Sequence, residues 1–396
     1  MRSLRASRLA IGLFFFGDGL MIGSWAGRIP AVQHHAGLST SRLGLALFAA
    51  SLGALVAMPV AGRLCERVGS RSITLVGLLL GGGSLFAASL STGLVGLSVA
   101  LFGFGAGFGT INVAVNAQGV ALESLSGRRI LSSFHALFSA GGLVGAGTAA
   151  VLAAAGLGVQ LHYGALALVL TAVALAGVGY LLPPEADDRP EARAKRSRFA
   201  RPPRAIMVLG AAAFCTMLAE GAAVDWSAVY LSRSFGAAAG VAALAYTAFA
   251  FMMTTSRAVG DRLNRKLGAV TLARSGAAVA TIGLSLALVI GSVPVAVAGF
   301  AAMGAGLGVV IPVLFRAAAS TPAVSASVGL ATVSTIGWFG FLAGPPAIGF
   351  AASAVGIRAA LGIVVLATLT LVALAGNAEP GRRKERVPAA AYRTNP

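Results

Sequence analysis

Apolar runs bounded by glycine, proline, serine or charge recur along the chain at residues 9–29, 43–61, 73–92, 94–121, 132–155 and 161–182. They resume at 205–231, 240–259, 269–291, 293–317, 326–352 and 355–375. A helix needs about 20 mostly apolar residues to cross a bilayer, so the pattern predicts an all-α integral membrane protein of twelve transmembrane helices. The third and fourth runs are parted only by the weak turn Ser91–Gly93, and that division leans on the internal symmetry described below. Between the sixth and seventh runs stands PPEADDRPEARAKRSRFARPPR, which opens and closes on proline and mixes both charge signs, as a solvated linker does. The expected plan is an N-terminal six-helix bundle (1–182), a linker (183–204), a C-terminal six-helix bundle (205–376) and a tail (377–396). Arg2, Arg5 and Arg8 before the first run imitate a signal peptide. The run continues past Asp18 to Ile29 and has a counterpart in the second half, so it reads as a retained first helix.

Composition agrees with this plan. The chain is 57% hydrophobic and only 11% charged, where a soluble domain carries about 25% charged residues. A net charge of +18 would point a soluble protein toward nucleic acid. Here 26 of the 30 basic residues fall on the side that the alternation of spans assigns to both termini and the linker. Only Arg28, Arg42, Arg233 and Arg358 fall on the other. By the positive-inside rule the termini are expected in the cytoplasm, in a cell-membrane protein with no nucleic-acid partner. Cys65 and Cys215 stand 150 positions apart and suggest neither a disulfide framework nor a metal site. The glycines from Gly103 to Gly109 lie in an apolar helix with no preceding strand or phosphate lysine, so a nucleotide loop fails its context test. With no nucleophile–base set, the expectation is a protein that is not an enzyme, has no cofactor and works as a monomer.

Internal repeats appear at a shift of about 200 residues, as in transporters built from two parallel halves. Gly105-Ala-Gly107-Phe-Gly109 echoes Gly304-Ala-Gly306-Leu-Gly308, and Asp18-Gly19 with Trp25 echoes Glu220-Gly221 with Trp226. After the second run the chain reads Gly62-Arg-Leu-Cys-Glu66-Arg67-Val-Gly69-Ser-Arg71. After the eighth it reads Gly260-Asp261-Arg262, closing on Gly268. Both stretches resemble the cytoplasmic loop signature of the major facilitator superfamily, G-x-x-x-[DE]-R-x-G-x-[RK], the first at every position and the second with shifted spacing. The resemblance implies two six-helix halves and a charge latch in which acid and arginine hold neighbouring helix ends closed, with glycines turning the backbone. FFFGDGLMIGSWAGRIPAV, SFHALFSAGGLVGAG and LAEGAAVDWSAVYL narrow the likeness to the MosC/YbjJ-like branch, which neighbours the fucose–proton symporters. The branch's name-giving member is linked to transport of an inositol-derived compound.

Ionisable groups within the spans are few. Asp18 and Glu220 lie near mid-helix, where a charged carboxylate costs about 2.5–3.5 kcal/mol, so each is expected either beside a water-filled cavity or tied in a structural hydrogen bond. In fucose-type symporters an acid on the first helix loads and releases the proton, and the resemblance puts Asp18 in that place. Asp225, turned about 140° from Glu220 around the helix, reads as a site residue or an interface anchor. Asn112 and Asn116 share one face of the fourth span where fucose-type symporters carry an acid. They supply donors and acceptors for a polar solute, but the departure counts against a two-carboxylate scheme. His135 is a proton relay, a solute donor or a backbone-bonded histidine. Trp25, Trp226 and Trp338 could stack on a sugar ring, although the first two also suit a membrane-interface belt. Pro312, Pro345 and Pro346 are expected to bend the tenth and eleventh spans.

These residues predict a secondary transporter of a small polar solute (a sugar, polyol or related compound), coupled to protons. Proton-antiport efflux of drugs is the alternative. Against it, the fifth span reads Gly141-Gly142-Leu-Val-Gly145 without the proline common in drug antiporters, and Gly344-Pro345 falls in the eleventh span instead. A non-transporting solute sensor on the same scaffold is the third reading, and it would need neither latch nor mid-membrane acids.

Overall fold

The computed structural model describes residues 4–127, 130–184, 203–322 and 326–377. Most of the expected linker and tail, with Arg128 and Arg129, lies outside them. Among the described residues there is no strand, and twelve helical spans are long and apolar enough to cross a membrane. The first six are α1 (Leu4–His35), α2 (Thr40–Val68), α3 (Ser70–Leu90), α4 (Gly93–Ser126), α5 (Leu131–Ala154) and α6 (Val159–Val178). Next come α7 (Arg204–Phe235), α8 (Ala239–Leu267) and α9 (Ala269–Ile290). The tenth span is broken into α10 (Val293–Leu307) and α11 (Val310–Ser320), the eleventh is α12 (Ala326–Val355), and the twelfth combines α13 (Ile357–Ala360) with α14 (Gly362–Leu374). The division at Ser91–Gly93 is present, because α3 stops at Leu90 and α4 starts at Gly93.

One expectation about backbone shape needs correction. The signature stretches are not loops: α2 runs through Glu66 and Arg67 to Val68, and α8 through Asp261 and Arg262 to Leu267. Each helix is parted from the next by one glycine, Gly69 at φ 86° and Gly268 at φ 79°, a region that residues with a Cβ avoid. Gly62 and Gly260 lie inside helices and turn nothing. The tenth span breaks at Gly308–Val309, four residues before Pro312, whose ring denies the Gly308 carbonyl its helical N–H partner, and α12 carries Pro345 and Pro346 inside one helix.

Glycine governs how the helices approach. A Cβ at Gly105 would stand 1.7 Å from the Ala50 carbonyl oxygen on α2, and one at Gly107 would stand 2.3 Å from the Gly81 nitrogen on α3. In the second half a Cβ at Gly304 would meet the Phe249 carbonyl oxygen on α8 at 2.1 Å, and one at Gly306 the Gly276 carbonyl oxygen on α9 at 2.1 Å. So α4 lies on α2 and α3 as α10 lies on α8 and α9, and the sequence echo is an echo of packing. The same holds for α1 on α5, through Gly19, Gly23, Gly141 and Gly145, and for α7 on α12, through Gly337 and Gly340.

The halves meet through α5 against α8 and α2 against α12. At the end remote from the linker the contacts are close: Gly240 lies on Ala150 and Ala154, Gly27 between Ala149 and Ala243, and Gly44 on Pro345 and Gly349. At the linker end α5, α8 and α11 stand apart around a cavity.

Overpacking one of these crossings costs about 1–3 kcal/mol or more. Gly304→Val is therefore expected to lower the detergent-solubilised melting temperature by several degrees. Gly147→Ala, where a Cβ would meet nothing within 4 Å, should be neutral or raise it, because alanine is the better helix former by about 1 kcal/mol.

Candidate functional site

The cavity at the linker end has a volume of about 540 Å³, within the range of small-molecule sites. Its polar lining comes from three helices: His135 and Ser139 on α5, Thr254, Arg257 and Asn264 on α8, and Arg316 on α11. The break at Gly308–Val309 and Pro312 form part of its wall, so the chain interrupts its tenth span at the cavity, where freed backbone groups are not exposed to lipid.

Arg257 connects this lining to the seventh helix. Its Nη2 lies 3.6 Å from Glu220 Oε1, an ion pair between neighbouring helices. That distance is an ionic contact and not a hydrogen bond, and Glu220 Oε1 is buried with no hydrogen-bond partner. The arginine side chain is 37% exposed and the glutamate 13%, so the cation reaches the cavity while the acid stays behind it. Tyr246 on α8, itself buried, lies within electrostatic reach of Arg257, Glu220 and Asp225, and His135 within reach of Arg257. The His135 ring also packs edge-on against Phe15, 5.3 Å between centroids. Asp225 is half-buried beside this group.

The other candidate residues are distributed differently. Asp18 does not line the cavity. It is 1% exposed, and neither carboxylate oxygen has a partner. Its stripe of α1 carries Phe14, which touches Gly177 on α6, and Met21, which touches Gly81 on α3. That stripe faces the interior of the N-terminal half. Asp18 and Glu220, matched by the sequence repeat, therefore do not face one cavity in this structure. Trp25 and Trp226 are neither belt nor cavity residues. Both are buried in the core, Trp25 tilted on Phe104 of α4 and Trp226 with its indole nitrogen unpartnered. Trp338 is half-buried and packs on Phe341, which covers Gly221 next to Glu220. Asn112 and Asn116 are half-buried, and Asn116 donates its amide to the Asn112 carbonyl oxygen at 2.7 Å. They stand outside the cavity lining. Glu66, Arg67 and Arg262 are exposed and Arg71 is half-buried. The side chain of Asp261 lies outside what the structure describes.

Sequence reasoning assigned Arg257 and Arg316 to topogenic charge and passed over Tyr246, Thr254, Ser139 and Asn264. A signal for Arg257 was available, since it falls inside an apolar span and not beyond its end, where intramembrane charge marks a functional site by default. Arg28, counted in the sequence only by its side of the membrane, also has a structural role. It is buried, and its guanidinium donates to the Leu157 carbonyl oxygen, tying α1 to the α5–α6 turn.

The sequence matches the family model of the Major Facilitator Superfamily over residues 9–329. It is 36% identical to an uncharacterized MFS-type transporter of Yersinia pestis, over 93% of this chain and 95% of that protein. It is 32% identical to the membrane protein MosC of Rhizobium meliloti, over 92% of this chain and 88% of that one. Among solved structures the nucleoside transporter NupG superposes with a TM-score of 0.74 at 12% identity, covering 93% of this chain and 96% of its own. The Escherichia coli fucose:proton symporter FucP superposes at 0.63 with 19% identity, covering 96% and 100%. Twelve spans in two halves packed by matching glycine crossings, and a family match that runs from the first span into the eleventh, lead to one conclusion: the chain belongs to the major facilitator superfamily, a family of multi-pass membrane transporters and not of enzymes.

Proposed function

We propose that this protein is a secondary active transporter that carries a small polar solute across the cell membrane by alternating access, coupled to protons. The observation that carries this reading is the cavity between the halves. Its wall is polar at the linker end and backed by an acid–arginine pair, while the halves are packed shut at the far end. A site reached from one side, between halves that touch closely only on the other, is what a rocking mechanism requires. The excess of basic residues beside the linker supports placing that end, with both termini, in the cytoplasm, which makes this arrangement the inward-open one. A polar lining on this scale suits a sugar, polyol or related compound, and the names of the fucose and nucleoside transporters are of the same kind. Glu66–Arg67 and Asp261–Arg262 would latch the cytoplasmic end when it closes. The exposure of Glu66 and Arg67 fits a latch that is undone while the cavity is open. Half-buried Asn112, Asn116, Asp225 and Trp338 are the further residues for the solute path.

The mid-span acids Asp18 and Glu220 are the groups to carry the proton. Once a thermal-shift screen of sugars and polyols has named a solute, purified protein in liposomes should take it up faster when the interior is made alkaline. Equal uptake with and without the gradient would remove the proton from the mechanism. Amidation of the carrier acid should abolish the stimulation but leave gradient-free exchange of solute. Stimulation that survives in both Asp18→Asn and Glu220→Gln would remove the two acids from the assignment.

A single substitution separates structure from transport at Asp18. Because its carboxyl makes no hydrogen bond among the described residues, Asp18→Asn should leave the melting temperature unchanged or raised. A burial of this kind without partners costs about 1–3 kcal/mol, and a drop of that size would show a structural bond instead.

A further inference from the structure

We propose that the solute carries a carboxylate, which Arg257 binds in place of Glu220, and that the displaced Glu220 takes up the co-transported proton. This rests on the transport reading above and adds to it a substrate class and a coupling step.

Three observations support it. Among the described residues the cavity lining contains Arg257, Arg316 and His135 and no acid, and Arg257 reaches the cavity while its own acid, Glu220, stays behind the wall. Planar guanidinium recognises carboxylate through paired, charge-assisted hydrogen bonds. Second, the resident partner is a poor one. At 3.6 Å, with Glu220 Oε1 accepting no hydrogen bond, the pair leaves the arginine's donors for a better acceptor arriving from the cavity side. Third, Asn264 belongs to the same lining, and its buried Oδ1 also lacks a partner, an acceptor left over for a hydroxyl once the wall shifts around a solute. The matching ligand is a small hydroxylated carboxylate, such as a sugar acid.

The coupling follows from charge. Once a solute carboxylate occupies Arg257, an ionised Glu220 would remain without its cation inside a span, an arrangement that is strongly unfavourable. A proton added to Glu220 removes that cost, so anion and proton enter together and no bond between heavy atoms is made or broken. Arg257 from α8 faces Glu220, and Tyr246 of the same helix lies within electrostatic reach of it. Asp225 is turned about 140° away on α7, and α1, which also packs on α7, brings Asp18. His135 from α5 and Arg316 from α11 stand across the cavity, while α10, α12 and α14 bring no titratable residue.

Binding is to be measured on purified full-length protein with three matched pairs: glucuronate and glucose, galacturonate and galactose, gluconate and sorbitol. At least one acid should bind about tenfold or more tightly than its neutral partner, as one charge-assisted hydrogen bond provides. Its affinity should rise from about pH 8 to about pH 6, where the probe stays ionised, because protonating Glu220 frees Arg257. Glu220→Gln should tighten binding and flatten that pH dependence, whereas Arg257→Gln should abolish it and Arg257→Lys retain part. No preference for any acid, or binding weakened by Glu220→Gln as by Arg257→Gln, overturns the proposal. An Arg257→Gln protein that fails to fold leaves the Glu220→Gln result decisive. Failure of the transport reading shows separately, as bound solute that undergoes no counterflow in liposomes.

Discussion

The hydrocarbon core offers no water to a backbone amide, so each crossing segment must satisfy its own hydrogen bonds as a helix. Apolar side chains gain little there by leaving lipid for one another, and helices hold together through close van der Waals approach. Most of this molecule follows from that constraint. Its glycines stand where one helix meets another's backbone: Gly105 on Ala50, Gly304 on Phe249, Gly23 on Gly142, Gly340 on Phe214. Such crossings are rigid within a half, and they recur in both halves at corresponding helices.

The contacts between halves are of a different kind. Gly240 with Ala150 and Ala154, and Gly44 with Pro345 and Gly349, join the halves at the far end, through α5 with α8 and α2 with α12. At the linker end the cavity opens between α5 on one side and α8 and α11 on the other, and the polar chemistry is gathered there. Arg257 is the point where the two themes meet. It projects from α8 toward the cavity and is held on its other side by Glu220 of α7, so whatever occupies the cavity is felt by an acid inside the C-terminal half. Asp18, its counterpart by sequence repeat, is enclosed by Phe14 and Met21 contacts to α6 and α3. The two halves are alike in packing and unlike in chemistry.

Span count, the six-plus-six division by a polar interruption and the repeat were all legible in the chain, because lipid imposes one long apolar run per crossing and symmetry repeats the glycines. The turns were misjudged where a helix continued through charged residues. α2 carries Glu66 and Arg67 and α8 carries Arg262 as exposed helical positions, and a charge run at a membrane boundary looks the same in a loop as on a helix end.

The sequence by itself determined that the chain spans a membrane twelve times, that it is doubled, and that it belongs among the transporters whose signature it carries. Those properties depend on local composition and on residues close together in the chain. Tertiary structure decided which polar residues meet. Glu220 and Arg257 are 37 positions apart, and His135 and Arg316 are further still from either, yet they surround one cavity. Asp18 and Trp25, which the repeat singled out, are turned into the core. The direction in which a mid-span side chain points depends on how its helix is rotated against its neighbours. That rotation is set by the glycine crossings of the whole bundle.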